Sequence, residues 1–356
     1  MKDRPSIMKK KIKTNYKDHE MFRWYSDVFP NLDIAQKIFL DIKTKLKTTP
    51  HPYCGWRSTP NQKYDTIFIN KFGLRSPEIN MLENKKKNYC MVLGGSVAWG
   101  FGASKNEMTF SYQLEKFFKI NNIDMEVINF AQNAMNSHDE LRSFISSVDE
   151  VQPKMVVSLS GINDLWQLGK GFNKCSDLLY GPTNFFHWGQ TMGIATEKNY
   201  FKKYIKLLIR CFRTNKTLDK NFFQFEKTCD PLTLFEHKID VMKAYCENKK
   251  IKMVHVLQPN LFYKKKLSET EKKYLNFWIQ NSTSAFDEKK LRSHFEKLKS
   301  TYFYNNCGTE NSLFIDSTNF FNEFESSIFF DLSHISDKGN EILSKKVVEI
   351  ICLKLF

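Results

Sequence analysis

The stretch NYCMVLGGSVAWGFG, residues 88–102, decides the fold. An apolar run ends at two consecutive glycines, and Ser96 follows them directly. Small residues around a serine are typical of a turn in which a reactive hydroxyl stands clear of the backbone. The stretch is not the G-x-S-x-G elbow of α/β-hydrolases, because Ala98 occupies the position of the second glycine. It is therefore either a nucleophile turn of another architecture or an ordinary tight strand-to-helix turn.

Further apolar or β-branched runs have the same character as the one before Ser96. The predicted strands are 89–95, 125–131, 155–161, 251–259 and 312–318, and helical patterns lie between them. Strands that alternate with helices, and that are apolar throughout, predict a parallel sheet covered by helices on both faces. In such a sheet the loops that follow the strands meet at one edge, where ligands bind.

Regions outside this alternation suggest how the chain is organised. Residues 1–85 carry short alternating runs and turn residues, which predict an extended N-terminal arm laid over an α/β body of residues 86–356. Two insertions exceed a minimal α/β unit, namely the aromatic segment 165–230 and the charged helical segment 262–308. Both leave the carboxyl edge of the sheet, so we expect the first to form a wall of the site. The second is equally well interpreted as a wall or as packing over an edge strand.

Composition excludes several classes of protein. The chain has 356 residues, of which 41% are hydrophobic and 26% charged, as in soluble globular proteins. No run approaches the roughly 20 apolar residues of a membrane span, and the basic N-terminus lacks the apolar core of a secretory signal. The eight cysteines show no metal-ligand or redox spacing. We therefore expect a cytoplasmic protein with free thiols that needs no metal and no cofactor.

A net charge of +15 favours contact with anions. The lysines are spread over the whole chain and accompany no recognised nucleic-acid module, so nucleic acid is not an expected partner. Residues 200–216, YFKKYIKLLIRCFRTNK, form a basic amphipathic pattern. Such a helix either packs its apolar side on the protein or lies on an anionic membrane surface. A membrane-surface or anionic-polymer-binding protein with a decayed site is therefore one alternative.

Residues that can act together lie just past the predicted strands. They are Ser96 after the first strand, Ala131 after the second, Asn163 and Asp164 after the third, and Asp331 and His334 before the last helix. A serine needs a base to become a nucleophile, and His334 can take its proton while Asp331 orients the imidazole. The structural alternative is that Asn163, Asp164 and Asp331 cap helices.

A developing oxyanion needs hydrogen-bond donors, and the same loops contain candidates. The backbone N–H groups of Ser96 and Ala131 and the side-chain amide of Asn163 can supply them. In the predicted arrangement all three lie at the carboxyl edge of the sheet, beside the Ser96 hydroxyl. They predict acyl-transfer chemistry at this edge.

These segments resemble a known family. GGSVAWG, the NFA turn at 129–131, GIND at 161–164 and DLSH at 331–334 are similar to blocks I, II, III and V of the SGNH (GDSL-type) hydrolases. The resemblance covers about residues 89–345. The segment HPYCGWRSTPN and the INKFGLRSPE that follows it resemble an N-terminal segment of bacterial members that act on surface polysaccharides.

The resemblance implies a flavodoxin-like three-layer α/β/α fold with a five-stranded parallel sheet. It implies Ser96 as nucleophile, Asp331–His334 as the base pair, and an oxyanion hole of Ser96, Ala131 and Asn163. The expected function is a serine esterase that hydrolyses O-acyl esters, above all O-acetyl groups on a carbohydrate or glycan, through an acyl-enzyme. An O-acyltransferase that uses the same site is the alternative. Trp166 and Asp164, on the loop after the third strand, are candidates for substrate binding.

Overall fold

The computed structural model describes residues 28–29, 31–51, 55–79, 87–169, 231–281, 288–300 and 308–356. In chain order the strands are β1 Thr48–His51, β2 Gly55–Ser58, β3 Gln62–Lys63, β4 Phe68–Ile69, β5 Tyr89–Gly94, β6 Glu126–Asn129, β7 Met155–Ser160, β8 Lys252–Leu257 and β9 Ser312–Asp316. The helices are α1 Leu32–Leu40, α2 Ser96–Trp99, α3 Phe110–Ile120, α4 Ser137–Ile145, α5 Val148–Val151, α6 Ile162–Gly169, α7 Pro231–Asn248, α8 Glu269–Asn281, α9 Glu288–Leu298 and α10 Asp337–Leu355. Each predicted strand is present, shorter than its apolar run by one to three residues.

Strands β5 to β9 form one parallel sheet in the order β6-β5-β7-β8-β9. The first strand of the sheet, β5, lies second in this order. Strand β6 pairs with one side of β5 and forms the edge, and β7 pairs with the other side of β5, which is the flavodoxin-like order. The predicted fold class is therefore confirmed. The change of direction between β5 and β7 places the loops after these two strands side by side, and Ser96 lies in the first of them.

Helices cover both faces of this sheet. Strand β5 is buried along its whole length, so its alternate side chains contact opposite layers. Cys90 and Val92 belong to the core with α3 and α10. Met91 and Leu93 belong to the core with α4 and α7. A strand that is apolar at every position is stable only between two helical layers, which explains the three-layer architecture.

The N-terminal segment is more structured than its sequence predicted. Two antiparallel hairpins, β1–β2 and β3–β4, agree with the alternating runs, but α1 and the π-helix Asp41–Lys45 that follows it were not predicted. Helix α1 packs Ile38 and Phe39 in a cluster with Phe330 of the body. The described part of the arm therefore contacts the region of the chain that carries Asp331 and His334.

Two other findings concern the cysteine thiols and the possibility of a membrane-spanning helix. Cys90, Cys246 and Cys352 are free thiols in the structure. In the ranges given above, no helix combines the length and the apolar character that crossing a bilayer requires. The amphipathic segment 200–216 and most of the predicted insertion 165–230 lie outside the described residues.

Candidate active site

Ser96 opens α2 directly after β5 and is half-buried. Two glycines near Ser96 allow side chains from other segments to pack closely against this turn. A Cβ atom on Gly95 would overlap the amide nitrogen of Asn163, so glycine lets that side chain approach the turn. Gly102 has a φ of +92°, and a Cβ there would overlap the ring of Phe330. The glycines of the quoted stretch therefore make room for neighbouring side chains of the site.

Arg75 supports this turn from the N-terminal segment. Its guanidinium is fully buried and donates to the carbonyl of Gly100 at 2.6 Å and to that of Thr66 at 2.8 Å. It also lies 4.7 Å from the ring centre of Trp99. Burial lowers the pKa of Arg75 to about 9. One side chain thus joins α2 to the arm, and the sequence analysis had not singled it out.

His334 lies between Ser96 and Asp331. Its Nε2 is 2.7 Å from Ser96 Oγ, and its Nδ1 is hydrogen-bonded to Asp331 Oδ2. The backbone N–H groups of His334 and Ser333 donate to Asp331 Oδ1 at 2.7 and 2.8 Å. The structure therefore brings the three predicted residues together as a hydroxyl, imidazole and carboxylate in line.

The charge of Asp331 suits this arrangement. Burial alone would raise the pKa of this carboxyl. The charge of His334 and the hydrogen bonds from His334 and Ser333 outweigh burial and lower the pKa. Asp331 is therefore ionised over the neutral range, where it can hold a proton on the Nδ1 of His334 and leave Nε2 free to accept one.

Two phenylalanines fix the plane of the imidazole. Phe101 stacks on His334 with ring centroids 4.2 Å apart, and Phe330 lies nearly parallel to it at 5.7 Å. Phe101 is the second-to-last residue of the quoted glycine-rich stretch, and Phe330 directly precedes Asp331. Their ring contacts restrict rotation of the imidazole, and nothing in their sequence position had indicated this role.

Asn163 lies opposite the Ser96 turn. Its Nδ2 donates to the carbonyl of Met135 at 2.6 Å. An amide nitrogen carries two hydrogens, so one remains for a ligand. Asn163 also lines the same cavity as Ser96 and His334. Asn163 therefore lies beside the Ser96 turn, and its role as an oxyanion donor stays a prediction.

The prediction for Ala131 needs correction. Ala131 is fully buried, and its N–H donates to Asn129 Oδ1 at 3.1 Å. That donor is already used within the core. Ala134, three residues later, lines the cavity and has a φ of +63°. In the described part of the chain its N–H donates no hydrogen bond. The Ala134 N–H therefore replaces the Ala131 N–H as the candidate oxyanion donor of this loop.

Asp164 also differs from its prediction as a substrate contact. It is buried and accepts from Ser137 Oγ at 2.6 Å and from the Ser137 N–H at 3.1 and 3.2 Å. Burial raises the pKa of Asp164 to about 6. Its carboxylate joins the start of α6 to the start of α4. Trp166, the other candidate, is on α6, but its side chain lies outside the described residues.

A cavity of about 360 Å³ opens beside Ser96 and His334. Helix α8, from the predicted insertion 262–308, contributes Tyr274 and Trp278 to its lining, and the arm contributes Lys43. At least part of that insertion is therefore a wall of the cavity. Within the described ranges, no group of three histidine, cysteine, aspartate or glutamate side chains is arranged to hold a metal ion.

No family model and no curated protein matches this chain. Among solved structures, it is similar to a GDSL-like lipase from Bacteroides thetaiotaomicron, with 13% identity, a TM-score of 0.39, and coverage of 76% of this chain and 91% of that chain. It is also similar to an acetyl xylan esterase, with 14% identity, a TM-score of 0.40, and coverage of 74% and 99%. A third is a point variant of an acetyl-xylooligosaccharide esterase from Geobacillus Stearmophilus, with 12% identity, a TM-score of 0.39, and coverage of 73% and 92%.

Proposed function

We propose that this chain is a serine esterase of the SGNH (GDSL) type that hydrolyses O-acyl esters through an acyl-enzyme. The observation that carries the proposal is the 2.7 Å contact between Ser96 Oγ and His334 Nε2, with Nδ1 of the same ring on Asp331. A hydroxyl held by a base that is itself oriented by a carboxylate is the arrangement that nucleophilic catalysis requires.

In the proposed reaction, Ser96 Oγ attacks the ester carbonyl carbon, and its proton passes to His334 Nε2. The carbonyl oxygen becomes an oxyanion, and the Ser96 N–H, the Ala134 N–H and Asn163 Nδ2 are the proposed donors to it. The Ser96 N–H is the first of α2 and has no acceptor within the helix. Collapse of the tetrahedral intermediate releases the alcohol, which takes the proton from His334.

The second half of the reaction repeats the same steps with water. His334 Nε2 takes a proton from the attacking water, the oxyanion forms again at the same donors, and the acid leaves as Ser96 regains its proton. Asp331 stays ionised throughout and stabilises the imidazolium that forms in each half.

For the alcohol half of the ester we propose a carbohydrate that carries O-acetyl groups. Tyr274 and Trp278 support this proposal because aromatic side chains offer apolar faces together with a polar edge. If an acceptor sugar replaced water, the same residues would catalyse acyl transfer. Measuring the free acid released against the ester consumed distinguishes the two reactions.

The proposed function is tested with Ser96→Ala on O-acetylated xylan and on p-nitrophenyl acetate. We expect the variant to lose hydrolysis of both, because the hydroxyl that attacks is gone while the donors remain. Ser146→Ala is the control, since Ser146 lies outside this cavity and its hydroxyl donates to the carbonyl of Ser143. Equal activity of Ser96→Ala and the wild type would exclude the proposal.

A further inference from the structure

Lys43 brings a positive charge to the cavity from the N-terminal arm. It lines the same cavity as Ser96 and His334. Its ammonium lies 5.3 Å from the ring centre of Phe101, the ring that stacks on His334. Among the described residues that line this cavity, Lys43 is the only lysine or arginine, and Asp331 is the only carboxylate. The ring of Phe101 therefore contacts both the Lys43 ammonium and the imidazole of His334, the proposed base.

The Lys43 charge is not neutralised by a close partner. In the described part of the chain its ammonium makes no salt bridge and no hydrogen bond. By contrast Lys45, two residues later, pairs with Asp41 at 2.8 Å and with Asp65 at 3.5 Å. Asp331 is already hydrogen-bonded to His334 and Ser333. An anion that entered the cavity would thus meet an available ammonium group.

The surroundings of the Lys43 ammonium agree with such a role. Burial lowers the pKa of Lys43, and the charge of Asp331 acts in the opposite direction. The residue is nevertheless exposed to solvent, so this burial is incomplete. Because its water shell is partly removed already, contact with an anion costs less desolvation than it would at an open surface.

The local backbone holds Lys43 in place. It is the middle residue of the π-helix Asp41–Lys45, a distortion that occurs frequently at functional sites. Asp41 is fully buried and accepts from the Thr66 N–H at 2.7 Å and from Thr66 Oγ1 at 2.8 Å. These bonds anchor the turn from which Lys43 projects. The position of the cation is therefore set by the fold of the arm.

We infer that Lys43 binds an anionic group of the substrate, a carboxylate or a phosphate, so that the enzyme prefers acyl esters of acidic molecules to neutral ones. This inference rests on the proposed esterase function. The ammonium is a point charge with three donors, and both anions satisfy it. The competing explanation is that Lys43 only offsets the charge of Asp331, in which case its loss would affect all esters alike.

The test uses three aryl acetates that differ only in the para group: para-acetoxybenzoate, its methyl ester, and para-acetoxyphenyl phosphate. Four proteins are compared, namely the wild type, Lys43→Gln, Lys43→Arg and the control Lys47→Gln. Lys47 is an exposed lysine that follows the same turn and does not line the cavity. For each ester, the kcat/KM of a variant is divided by that of the wild type. This ratio cancels the different reactivities of the leaving groups.

We expect Lys43→Gln to lose about tenfold in kcat/KM on the charged esters, mainly through KM, as for one hydrogen bond to a charged group. The methyl ester should change by less than about twofold, since a neutral group gains little from the ammonium. Lys43→Arg should retain most of the preference for the charged esters over the methyl ester, and Lys47→Gln should retain all of it. Added salt should weaken this preference in the wild type. A loss confined to the benzoate or to the phosphate identifies the anion.

Equal losses of kcat/KM on the charged and the neutral esters would overturn the inference and show that Lys43 only offsets the charge of Asp331. An unchanged Lys43→Gln would overturn it as well. Failure of the proposed function has a different signature: the wild type would hydrolyse none of the three esters, and a fluorophosphonate would not label Ser96. Labelling of Ser96 together with equal losses leaves the esterase intact and removes only the role of Lys43.

Discussion

At the scale of single residues, the Ser96 hydroxyl depends on groups from distant parts of the chain. His334 accepts from it, Asp331 orients His334, and Phe101 holds the plane of the ring. Arg75 fixes the turn itself through the carbonyl of Gly100. The reactivity that we propose for Ser96 therefore belongs to this set of contacts, because an isolated serine hydroxyl is a weak nucleophile.

Asn163→Ala tests the proposed oxyanion donor. We expect kcat to fall by on the order of 10²–10³ with little change in KM, because the amide would bind charge that develops only in the transition state. Steady-state kinetics on p-nitrophenyl acetate measures both constants, and thermal unfolding confirms that the variant is folded. A rise in KM at constant kcat would instead make Asn163 a ground-state binding residue.

Ala134 and Ala131 offer a matched pair of substitutions. Ala134 has a φ of +63°, where a Cβ is strained and glycine is not. Ala134→Gly should therefore stabilise the protein by up to about 1 kcal/mol while activity is kept. Ala131 is fully buried without a positive φ, so Ala131→Gly should cost about 1–2 kcal/mol. Urea unfolding measures the free energy of unfolding of both variants. A change of the same sign in both would contradict the assignment of the strained positive φ to Ala134 and not to Ala131.

At the scale of elements, the site is assembled where loops after β5, β6 and β7 meet. Asn163, the second residue of α6, binds the Met135 carbonyl in the loop before α4. Asp164, the next residue, binds Ser137 at the start of α4. Helix α4 also begins with a capping box between Asn136 and Asp139. Two successive residues of α6 thus position the loop that contains Ala134.

Asp164→Asn tests this connection between α6 and α4. We expect kcat to fall about tenfold at constant KM, because a hydrogen bond to a charged group is lost and the donors lose alignment. Ser137→Ala should act in the same direction, and the double variant should be little worse than either single one, since both remove one interaction. Fully additive losses would contradict the connection.

The pH dependence of the Asp164→Asn effect adds a second criterion. Burial raises the pKa of Asp164 to about 6. Below that pH the wild-type carboxyl is protonated and resembles the asparagine, so the ratio of variant to wild-type activity should approach one. A purely structural defect of the variant would leave this ratio independent of pH.

The sequence predicted most of the elements and only part of the site. The strands and the helices around them were predictable because periodicity and burial follow from the side chains alone. Ser96, Asp331 and His334 were predictable because each follows or precedes a recognisable element. Ala134 was not, because its role depends on a backbone φ. Arg75, Phe101 and Lys43 were missed because their contacts join segments that are remote in sequence.

At the scale of the whole molecule, the chain buries a group of carboxyls behind the site. Asp139 and Glu140 on α4 and Asp164 on α6 are all buried. Burial raises the pKa of Asp139 to about 7, that of Asp164 to about 6, and that of Glu140 well above its usual range. The folded protein therefore binds these protons more tightly than the unfolded chain does.

The contribution of these three carboxyls to the free energy of unfolding should accordingly decrease as the pH rises. Burial lowers the pKa values of His51 and His138 to about 4 and that of His255 to about 3, so these histidines act in the opposite direction, and the test compares variants with the wild type. With pKa values raised on folding, the contribution of the carboxyls to the free energy of unfolding is largest near pH 4 and is lost as the pH passes 6 to 7. Each group contributes up to about 1.4 kcal/mol per pH unit within its range. Urea unfolding between pH 4 and pH 8 measures this slope. Compared with the wild type, Asp139→Asn should lose less stability, or gain more, as the pH rises, whereas Glu150→Gln, at an exposed carboxyl of α5, should keep the wild-type slope. The same dependence on pH in Asp139→Asn as in the wild type would contradict the prediction.

The central claim is that Ser96 forms a covalent acyl-enzyme. Rapid mixing with p-nitrophenyl acetate, an acid quench and peptide mapping by mass spectrometry tests it most directly. We predict one acetyl group per protein, on the peptide that contains Ser96, present in the wild type and missing in Ser96→Ala. Acetylation at a different serine, or turnover of the ester with no acetylated peptide at any quench time, would contradict the account.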